Sequence, residues 1–240
     1  MRTPFPGRFS GSGAISDPAS HPLNPRRMDH RYIVVEGAIG VGKTSLANIL
    51  AERMQARRIM EIVEENPFLA SFYDDRQKYA FQTQMFFLLS RYKQQQELFQ
   101  QDLFNAVTVS DYLFAKDRIF ACLTLDQNEL GLYDRVFEAL GTRVTKPDLV
   151  IYLQARIDVL LNRIKKRGRE FERKFDPAYL EDLTRAYNEF FFHYSETPLL
   201  VINTSDIDFV NNEADLENLF QVIHRHKHGV HHYIPLTSRK

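Results

Sequence analysis

The chain has 240 residues, and its 31 Lys and Arg balance 31 Asp and Glu, so the formal net charge is zero. This balance argues against a nucleic-acid partner, because general polyanion binders carry a basic excess. The single cysteine, Cys122, excludes an internal disulfide and a cysteine-rich zinc site. No uncharged apolar run approaches the roughly 18 residues that a membrane span needs. We therefore expect a soluble, cytoplasmic protein with no membrane partner.

The two ends of the chain differ in composition from its middle. Residues 1–27 hold five of the ten prolines and three of the ten glycines. Such a stretch buries too little apolar surface to offset its ordering entropy, and it is predicted to be disordered. Residues 224–240 hold five of the eight histidines. Histidine tracts can bind metals, but no cysteine or nearby acid completes a ligand set, so a solvated basic tail is the preferred interpretation. The folded domain is predicted over residues 28–223.

From residue 31 onward, short β-rich runs alternate with longer segments of helical periodicity. Near-continuous apolar strands separated by helices predict βαβ units and a parallel sheet covered on both faces. The expected fold is α/β, with a doubly wound five-stranded sheet that binds ligands at the carboxyl ends of its strands. The candidate strands are Tyr32–Glu36, Ile59–Glu64, Val107–Asp111, Leu149–Leu153 and Leu199–Ile202.

A glycine-rich motif directly follows the first candidate strand. It satisfies G-x-x-x-x-G-K-[ST] and lies between a strand and a helix, as a phosphate-binding P-loop requires. Its backbone N–H groups can surround phosphate oxygens, while Lys43 adds a cation and the Thr44 hydroxyl can ligate Mg²⁺. The sequence therefore predicts a nucleoside triphosphate site. Its residues are Gly37, Ala38, Ile39, Gly40, Val41, Gly42, Lys43, Thr44 and Ser45.

Acidic residues follow two further candidate strands, at Glu64-Glu65 and at Asp111. At these strand ends one carboxylate can deprotonate an acceptor hydroxyl and another can hold Mg²⁺, although ordinary solvated acids are the alternative. Arg163 and Arg167 share a helix face by their spacing of four, and Arg169 follows them. Planar guanidinium groups suit phosphate oxygens, so this cluster is interpreted as a lid over the P-loop in preference to a solvated helix end.

Several short motifs occur in a fixed order along the chain. After the P-loop come Glu-Glu-Asn-Pro-Phe, Gln-Thr-Gln…Ser-Arg, Ser-Asp-Tyr and Arg-x-x-x-Arg-Gly-Arg. This series resembles the deoxyribonucleoside kinase family, particularly its bacterial deoxyadenosine/deoxyguanosine kinase branch, from about Arg31 to about Phe220. The resemblance implies a P-loop kinase with an arginine-rich lid. It also implies transfer of the γ-phosphoryl group of ATP, with Mg²⁺, to the 5′-hydroxyl of a deoxyribonucleoside.

The resemblance also implies roles for individual residues. Glu65 matches the glutamate that deprotonates the 5′-hydroxyl, with Glu64 as the alternative if the register shifts by one. Asp111 matches a magnesium or catalytic carboxylate, but Tyr112 follows it where animal members have an arginine. The lid arginines correspond to Arg163, Arg167 and Arg169. Tyr73 and Glu172 match the residues that hold the sugar 3′-hydroxyl.

The base pocket implied by the resemblance consists of Gln84, Arg91 and Asp117. An amide can both donate and accept, whereas an ionised Asp117 only accepts and so favours a base with an exocyclic amine or ring N–H. Deoxyadenosine, deoxyguanosine and deoxycytidine are therefore better candidates than thymidine. A loop with Asp208 and Phe209 matches the segment that contacts the adenine of the phosphate donor, and a simple turn is the alternative.

Two other functions fit the P-loop. A nucleoside monophosphate kinase of the thymidylate type would need a basic site for the phosphate of its acceptor, which the acids at Glu64-Glu65 would repel. A non-catalytic nucleotide-dependent switch would leave the base-pocket residues unexplained. Because the family usually dimerises through helices on one sheet face, the resemblance also implies a homodimer.

Overall fold

The computed structural model describes residues 30–101, 107–169 and 176–235, with one parallel sheet at its centre. The extension predicted over residues 1–27 and the predicted sugar ligand Glu172 lie outside these ranges. The strands of the sheet are β1 (Tyr32–Gly37), β2 (Arg57–Ile59), β3 (Thr108–Ser110), β4 (Leu149–Gln154), β5 (Leu199–Asn203) and β6 (Val230–Tyr233). They lie in the order β2-β3-β1-β4-β5-β6, and every neighbouring pair is parallel. All the strands therefore present their carboxyl ends at one edge of the sheet.

Helices cover both faces of this sheet, as predicted. They are α1 (Lys43–Met54), α2 (Leu69–Asp74), α3 (Arg76–Gln101), α4 (Lys116–Thr124), α5 (Gln127–Gly141), α6 (Ile157–Arg167), α7 (Pro177–Phe192) and α8 (Glu213–Arg225). In β1, Ile33 and Val35 pack in one apolar cluster with Leu50 of α1, whereas Val34 packs in another with Leu183 of α7. This alternation follows from the two-residue period of a strand and produces an apolar layer on each side. No helix in the described ranges is both long and apolar enough to cross a membrane.

The predicted count of five strands is wrong, because six strands occur within the described residues. The additional strand, β6, lies inside the segment predicted as a solvated tail. It pairs with β5 along the edge of the sheet, beginning next to the bond from the Leu199 N–H to the Gly229 carbonyl, at 2.9 Å. Its side chains are mostly exposed, so no alternating apolar pattern marked the strand; its stabilisation comes from backbone pairing.

The start of the same segment is also folded onto the domain. Helix α8 ends at Arg225, and His226 is buried directly after it. The Nε2–H of His30 donates to the His226 carbonyl oxygen at 2.8 Å, which joins the two ends of the described chain. Burial lowers the pKa of His226, and the nearby imidazoles of His231 and His228 act in the same direction.

Strand β2 is shorter than predicted and begins earlier. The prediction placed it at Ile59–Glu64, but its pairing with β3 ends at Ile59. After that point the backbone N–H of Glu61 donates to the Asp111 carboxylate, at 2.7 Å, and no longer to a strand. Glu64 and Glu65 consequently lie in a turn well beyond the end of the strand. The other four predicted strands have ends within one residue of those observed.

Candidate active site

The loop between β1 and α1 has a backbone that requires glycine. Gly40 and Gly42 have φ angles of +85° and +104°, in the left-handed region that side chains rarely adopt. A Cβ on Gly40 would lie 2.8 Å from the carbonyl oxygen of Leu160 on α6. Helix α1 begins at Lys43 without a side-chain cap from Gly42. Its N-terminal N–H groups and positive dipole end therefore make the loop an anion site.

Lys43 folds back over this loop. Its Nζ donates to the carbonyl oxygens of Gly37 at 2.7 Å and Ala38 at 3.3 Å. Burial lowers the pKa of the Lys43 ammonium, the carboxylate of Glu36 opposes this, and the charge of Lys116 adds to it. The predicted P-loop therefore forms, with its lysine next to the loop backbone.

A wide cleft, called here the basic cleft, opens beside the P-loop. The predicted P-loop residues Gly37 and Ala38 do not line it; their carbonyl oxygens accept from Lys43, and Ile39 lines a different cavity. The structure thus brings together the second half of the P-loop, the predicted lid cluster and the predicted adenine loop. The lining residues of the basic cleft are Gly40, Val41, Gly42, Lys43, Thr44, Ser45, Arg163, Lys166, Arg167, Arg169, Ile207, Asp208, Phe209, Val210 and Asn211.

The three predicted lid arginines have different surroundings. Arg163 is half-buried and donates to the carbonyl oxygens of Val41, at 3.1 Å, and Thr204, at 2.9 Å, so it joins the P-loop to the end of β5. Burial lowers its pKa, but a guanidinium stays charged at neutral pH. Arg167 is exposed in the last turn of α6. Arg169 forms an ion pair with Glu64 at 2.9 Å, which links this cluster to the loop after β2.

Two oxygen-bearing side chains lie together at the start of α1. The Thr44 hydroxyl donates to Asp111 Oδ2, while Asp111 Oδ1 accepts the backbone N–H of Glu61. Asp111 is buried, directly after β3. A hydroxyl and a carboxylate beside a phosphate loop are suitable ligands for Mg²⁺, which binds proteins through few side chains together with nucleotide phosphates. Accordingly, no cluster of three or more His, Cys, Asp or Glu in the described ranges is arranged as a complete protein metal site.

A second cavity shares Lys43 with the basic cleft. We call it the aromatic cavity, because five of its lining residues carry aromatic rings. Three of the predicted substrate residues line it: Tyr73, Gln84 and Arg91. Its lining residues are Ile39, Lys43, Glu61, Val63, Leu69, Phe72, Tyr73, Thr83, Gln84, Phe87, Arg91, Lys116, Phe120 and Tyr179.

A network of buried charges forms one wall of the aromatic cavity. Arg91 donates through Nη1 to Asp117 and through Nη2 to Glu61. Lys116 donates to the other oxygen of Glu61 at 2.7 Å and lies 4.0 Å from Glu36. Burial raises the pKa of Glu61, but the charges of Lys116 and Arg91 lower it by more. The pKa of Glu61 therefore lies well below the usual range of a glutamate. Glu61 is therefore ionised at neutral pH.

The structure does not bring the predicted base, Glu65, into either cavity. Glu65 and Glu64 are exposed in the turn after β2, and Glu64 pairs with Arg169. Glu61 instead lines the aromatic cavity, with only 14% of its side chain exposed. The prediction failed because it extended β2 through Glu64. A single acid within the otherwise apolar run from Ile59 to Val63 was the signal that pointed to Glu61.

The remaining predicted substrate residues differ in their position relative to the aromatic cavity, which Gln84 and Tyr73 line and Asp117 does not. Gln84 is buried on α3 and its amide donates to the Thr124 hydroxyl at 3.3 Å, so its carbonyl oxygen faces a different direction. Asp117, on α4, is almost fully buried and reaches the cavity through Arg91. Tyr73 lies next to Phe72, with a ring-centroid distance of 5.6 Å.

Three charged residues that line the two cavities were not predicted from the sequence. They are Glu61, Lys116 and Lys166.

The chain is similar to known proteins over most of its length. The family model described as deoxynucleoside kinase matches residues 33–228. Deoxyguanosine kinase of Bacillus subtilis (strain 168) is 40% identical over 193 residues, covering 78% of this chain and 93% of that protein. Deoxyadenosine kinase of Lactobacillus acidophilus is 34% identical over 196 residues, covering 76% and 89%. A structure of deoxyadenosine kinase from M. mycoides with bound dATP matches with a TM-score of 0.68 and 25% identity, covering 81% of this chain and 99% of that one. The chain therefore belongs to the deoxynucleoside kinase family.

Proposed function

We propose that the protein transfers the γ-phosphoryl group of ATP to the 5′-hydroxyl of a purine deoxyribonucleoside, in a Mg²⁺-dependent reaction. The observation that carries this proposal is that the basic cleft and the aromatic cavity meet at Lys43. One holds a phosphate loop with arginines, and the other holds an ionised carboxylate among aromatic rings. A triphosphate in the first site and a nucleoside in the second would meet at the same ammonium.

In the basic cleft, Lys43 and the lid residues Arg163, Arg167 and Arg169 would hold the triphosphate, while the loop with Asp208 and Phe209 contacts the donor base. Their proposed roles are to position the triphosphate and to stabilise the negative charge of the transition state. These two effects account for most of the catalysis in phosphoryl transfer. Thr44 and Asp111 would hold Mg²⁺. When bound, this ion would neutralise the negative charge that develops on the phosphate groups during transfer.

In the aromatic cavity, we assign the general base to Glu61 in place of Glu65. A general base must be ionised and within reach of the hydroxyl that it deprotonates. Glu61 meets the first condition because Lys116 and Arg91 stabilise its charge. For the second, Glu61 lines the same cavity as Lys43, the residue that the two sites share. As the hydroxyl oxygen attacks phosphorus, its proton passes to Glu61 and the bond to the β-phosphate oxygen breaks, releasing ADP.

The deoxyribonucleoside would lie with its base at the end of the cavity that holds Gln84, Arg91 and Asp117. An ionised Asp117 accepts hydrogen bonds, and Gln84 can accept or donate, so together they favour a base with an exocyclic amine or a ring N–H. Tyr73 would contact the sugar, together with Glu172. Thymine lacks an exocyclic amine, so it offers Asp117 only its ring N3–H as a donor and fits this donor and acceptor set less well.

The nearest alternative, a nucleoside monophosphate kinase, needs an excess of positive charge in its acceptor site. Here the cations Lys43, Arg91 and Lys116 face the carboxylates Glu36, Glu61, Asp111 and Asp117. The site therefore has no excess of positive charge, which favours an uncharged acceptor. We further propose that the protein is a cytoplasmic homodimer. Leu89 of α3 and Leu132 of α5, each about half exposed, would be apolar contacts between the subunits. The mass of the protein in solution, measured by light scattering, tests whether it is a dimer.

The direct test is to incubate the pure protein with Mg–ATP and, separately, each of the four deoxyribonucleosides and their monophosphates. We expect deoxyadenosine or deoxyguanosine to be converted to the monophosphate, with thymidine a poor acceptor. Omitting Mg²⁺ or adding EDTA should stop the reaction. Phosphorylation of monophosphates alone would overturn the proposed acceptor, and phosphorylation of thymidine alone would overturn the role given to Asp117. No transfer to any of them would overturn the proposal as a whole.

A further inference from the structure

Lys116 is an ammonium group buried in the wall of the aromatic cavity, with 2% of its side chain exposed. Burying a charge is costly unless another charge compensates it, so a lysine in this position needs specific partners. It lies in the first turn of α4, next to the base-pocket residue Asp117. Tyr112, which follows Asp111, contributes no charge here, because burial raises its pKa far above neutral pH.

The two carboxylates near Lys116 are held to different degrees. Glu36 accepts hydrogen bonds from the backbone N–H groups of Gly37 and Leu113, at 2.9 and 2.8 Å, and from the Tyr187 hydroxyl at 3.2 Å. It lies 4.0 Å from the ammonium, beyond hydrogen-bond distance. The direct bond from Lys116, at 2.7 Å, goes to Glu61. Lys116 is therefore bonded to Glu61, the carboxylate that accepts a proton and loses its charge in the proposed reaction.

Lys116 and Lys43 lie close enough to influence one another. The charge of Lys116 contributes to the lowered pKa of Lys43, and both side chains line the aromatic cavity. Lys43 also lines the basic cleft, whereas Lys116 does not. A phosphoryl group that moves from one site to the other would pass Lys43 first and then approach Lys116 and Glu61.

We propose that Lys116 is a further catalytic residue, which exchanges its bond to Glu61 for one to the transferred phosphoryl group. The inference rests on the proposed function. Before transfer, the ammonium holds the Glu61 carboxylate in place. When Glu61 accepts the proton of the 5′-hydroxyl, it becomes neutral, while the new bond between O5′ and phosphorus brings a dianionic phosphate into the cavity. An ammonium with three N–H donors then binds more strongly to the phosphate than to the neutral acid.

A purely structural counter-ion would behave differently. If Lys116 only balanced Glu36 and Glu61, its loss would weaken the binding of nucleoside and of product monophosphate together, because both occupy the same cavity. If Lys116 instead contacts the transferred phosphate, its loss should lower turnover and weaken the binding of the product monophosphate, while the binding of the nucleoside stays normal. The comparison between nucleoside and monophosphate therefore separates the two roles.

The experiment uses the full-length protein with Lys116→Met and Lys116→Arg, and it uses Arg118→Met as the matched control. Arg118 lies on the same helix but is exposed and bonded to Asp134 at 2.9 Å. Calorimetry measures the Kd of deoxyguanosine and of its monophosphate, and a coupled assay measures kcat and KM. For Lys116→Met we expect kcat to fall by ~10²-fold, the scale for losing one charge-stabilising donor. The monophosphate Kd should rise by at least ~10-fold and the nucleoside Kd by less than ~3-fold.

Lys116→Arg should recover part of both losses, and Arg118→Met should match the wild type. If Lys116→Met does not fold, the double variant Glu36→Gln/Lys116→Met, which removes one charge of each sign, takes its place with the same expected results. Unchanged turnover, or parallel losses of nucleoside and monophosphate binding, would overturn the inference while the proposed function stands. A wild-type protein that phosphorylates no deoxyribonucleoside would overturn the proposed function and this inference with it.

Discussion

Replacing Glu61 with glutamine removes the proposed proton acceptor and keeps the size of the side chain. An amide has no basic site at neutral pH, so the variant should lose the contribution of a general base, a factor of ~10²–10⁴ in kcat. This factor corresponds to about 3–5 kcal/mol of activation free energy. The bond from Lys116 can persist, because the amide oxygen still accepts.

The charge balance of the cavity indicates which kinetic constant changes. In the wild type, three cations face four carboxylates, Asp111 among them, and Glu61→Gln makes the net charge beside the P-loop more positive by one. An added positive charge does not weaken the binding of an anion. The KM for ATP should therefore not rise, and the loss should appear in kcat. A small loss of stability is also expected, since Arg91 and Lys116 share a weaker partner.

The measurement is kcat from ADP release at saturating Mg–ATP and deoxyguanosine, followed by single-turnover transfer to isolate the chemical step. Glu65→Gln is the matched control, and its exposed side chain should change kcat by less than about twofold. A Glu61→Gln enzyme with near-normal turnover would refute the assignment of Glu61 from its burial and charge partners. If Glu65→Gln instead lost ~10²-fold, Glu65 would be the base, as the sequence suggested.

Three other predictions concern the P-loop, the base pocket and the last strand. Gly40→Ala should lower the unfolding free energy in urea by about 1–3 kcal/mol, because its φ is +85° and its Cβ would meet Leu160, whereas Gly131→Ala, on open helix surface, should raise it by about 0.5–1 kcal/mol. Asp117→Asn should lower kcat/KM for deoxyguanosine by at least ~10-fold in competition assays, the scale for a lost hydrogen bond to a charged group. Because burial lowers the pKa of His226 below 6.5, the unfolded chain takes up its proton first, and stability should fall as pH drops through that value. A Tm that falls between pH 8 and pH 5.5 in the wild type but less in His226→Gln would bear this out.

The features predictable from sequence are those that depend on local backbone geometry. The P-loop was located because it places glycines at fixed spacing between a strand and a helix. Its backbone needs positive φ angles that few other residues adopt. Asp111 was located because it ends an apolar strand, and parallel strands end at one edge. Both inferences need only the residues within one turn of the site.

Features that depend on tertiary packing were missed. An apolar run shows that a strand is present, but it does not show where pairing with β3 stops, so Glu65 was predicted, with Glu64 as the alternative, and Glu61 was not considered. A lysine in the first turn of a helix is usually solvated, and the burial of Lys116 arises only when α4 packs against α3 and α7. Strand β6 pairs through its backbone and leaves most of its side chains exposed, so no pattern of residue types marks it.

Arg91 joins Asp117, which we propose selects the base, to Glu61, which we propose activates the hydroxyl. Its guanidinium bonds Asp117 with one arm and Glu61 with the other, and 5% of its side chain is exposed. A nucleobase that binds Asp117 competes for the first arm and thereby changes the field at Glu61. The two carboxylates are consequently not independent, and residues that share one partner typically show coupling energies of about 0.5–3 kcal/mol. A substitution at Asp117 that alters base preference should therefore also alter turnover, and a double-mutant cycle with Glu61→Gln measures by how much.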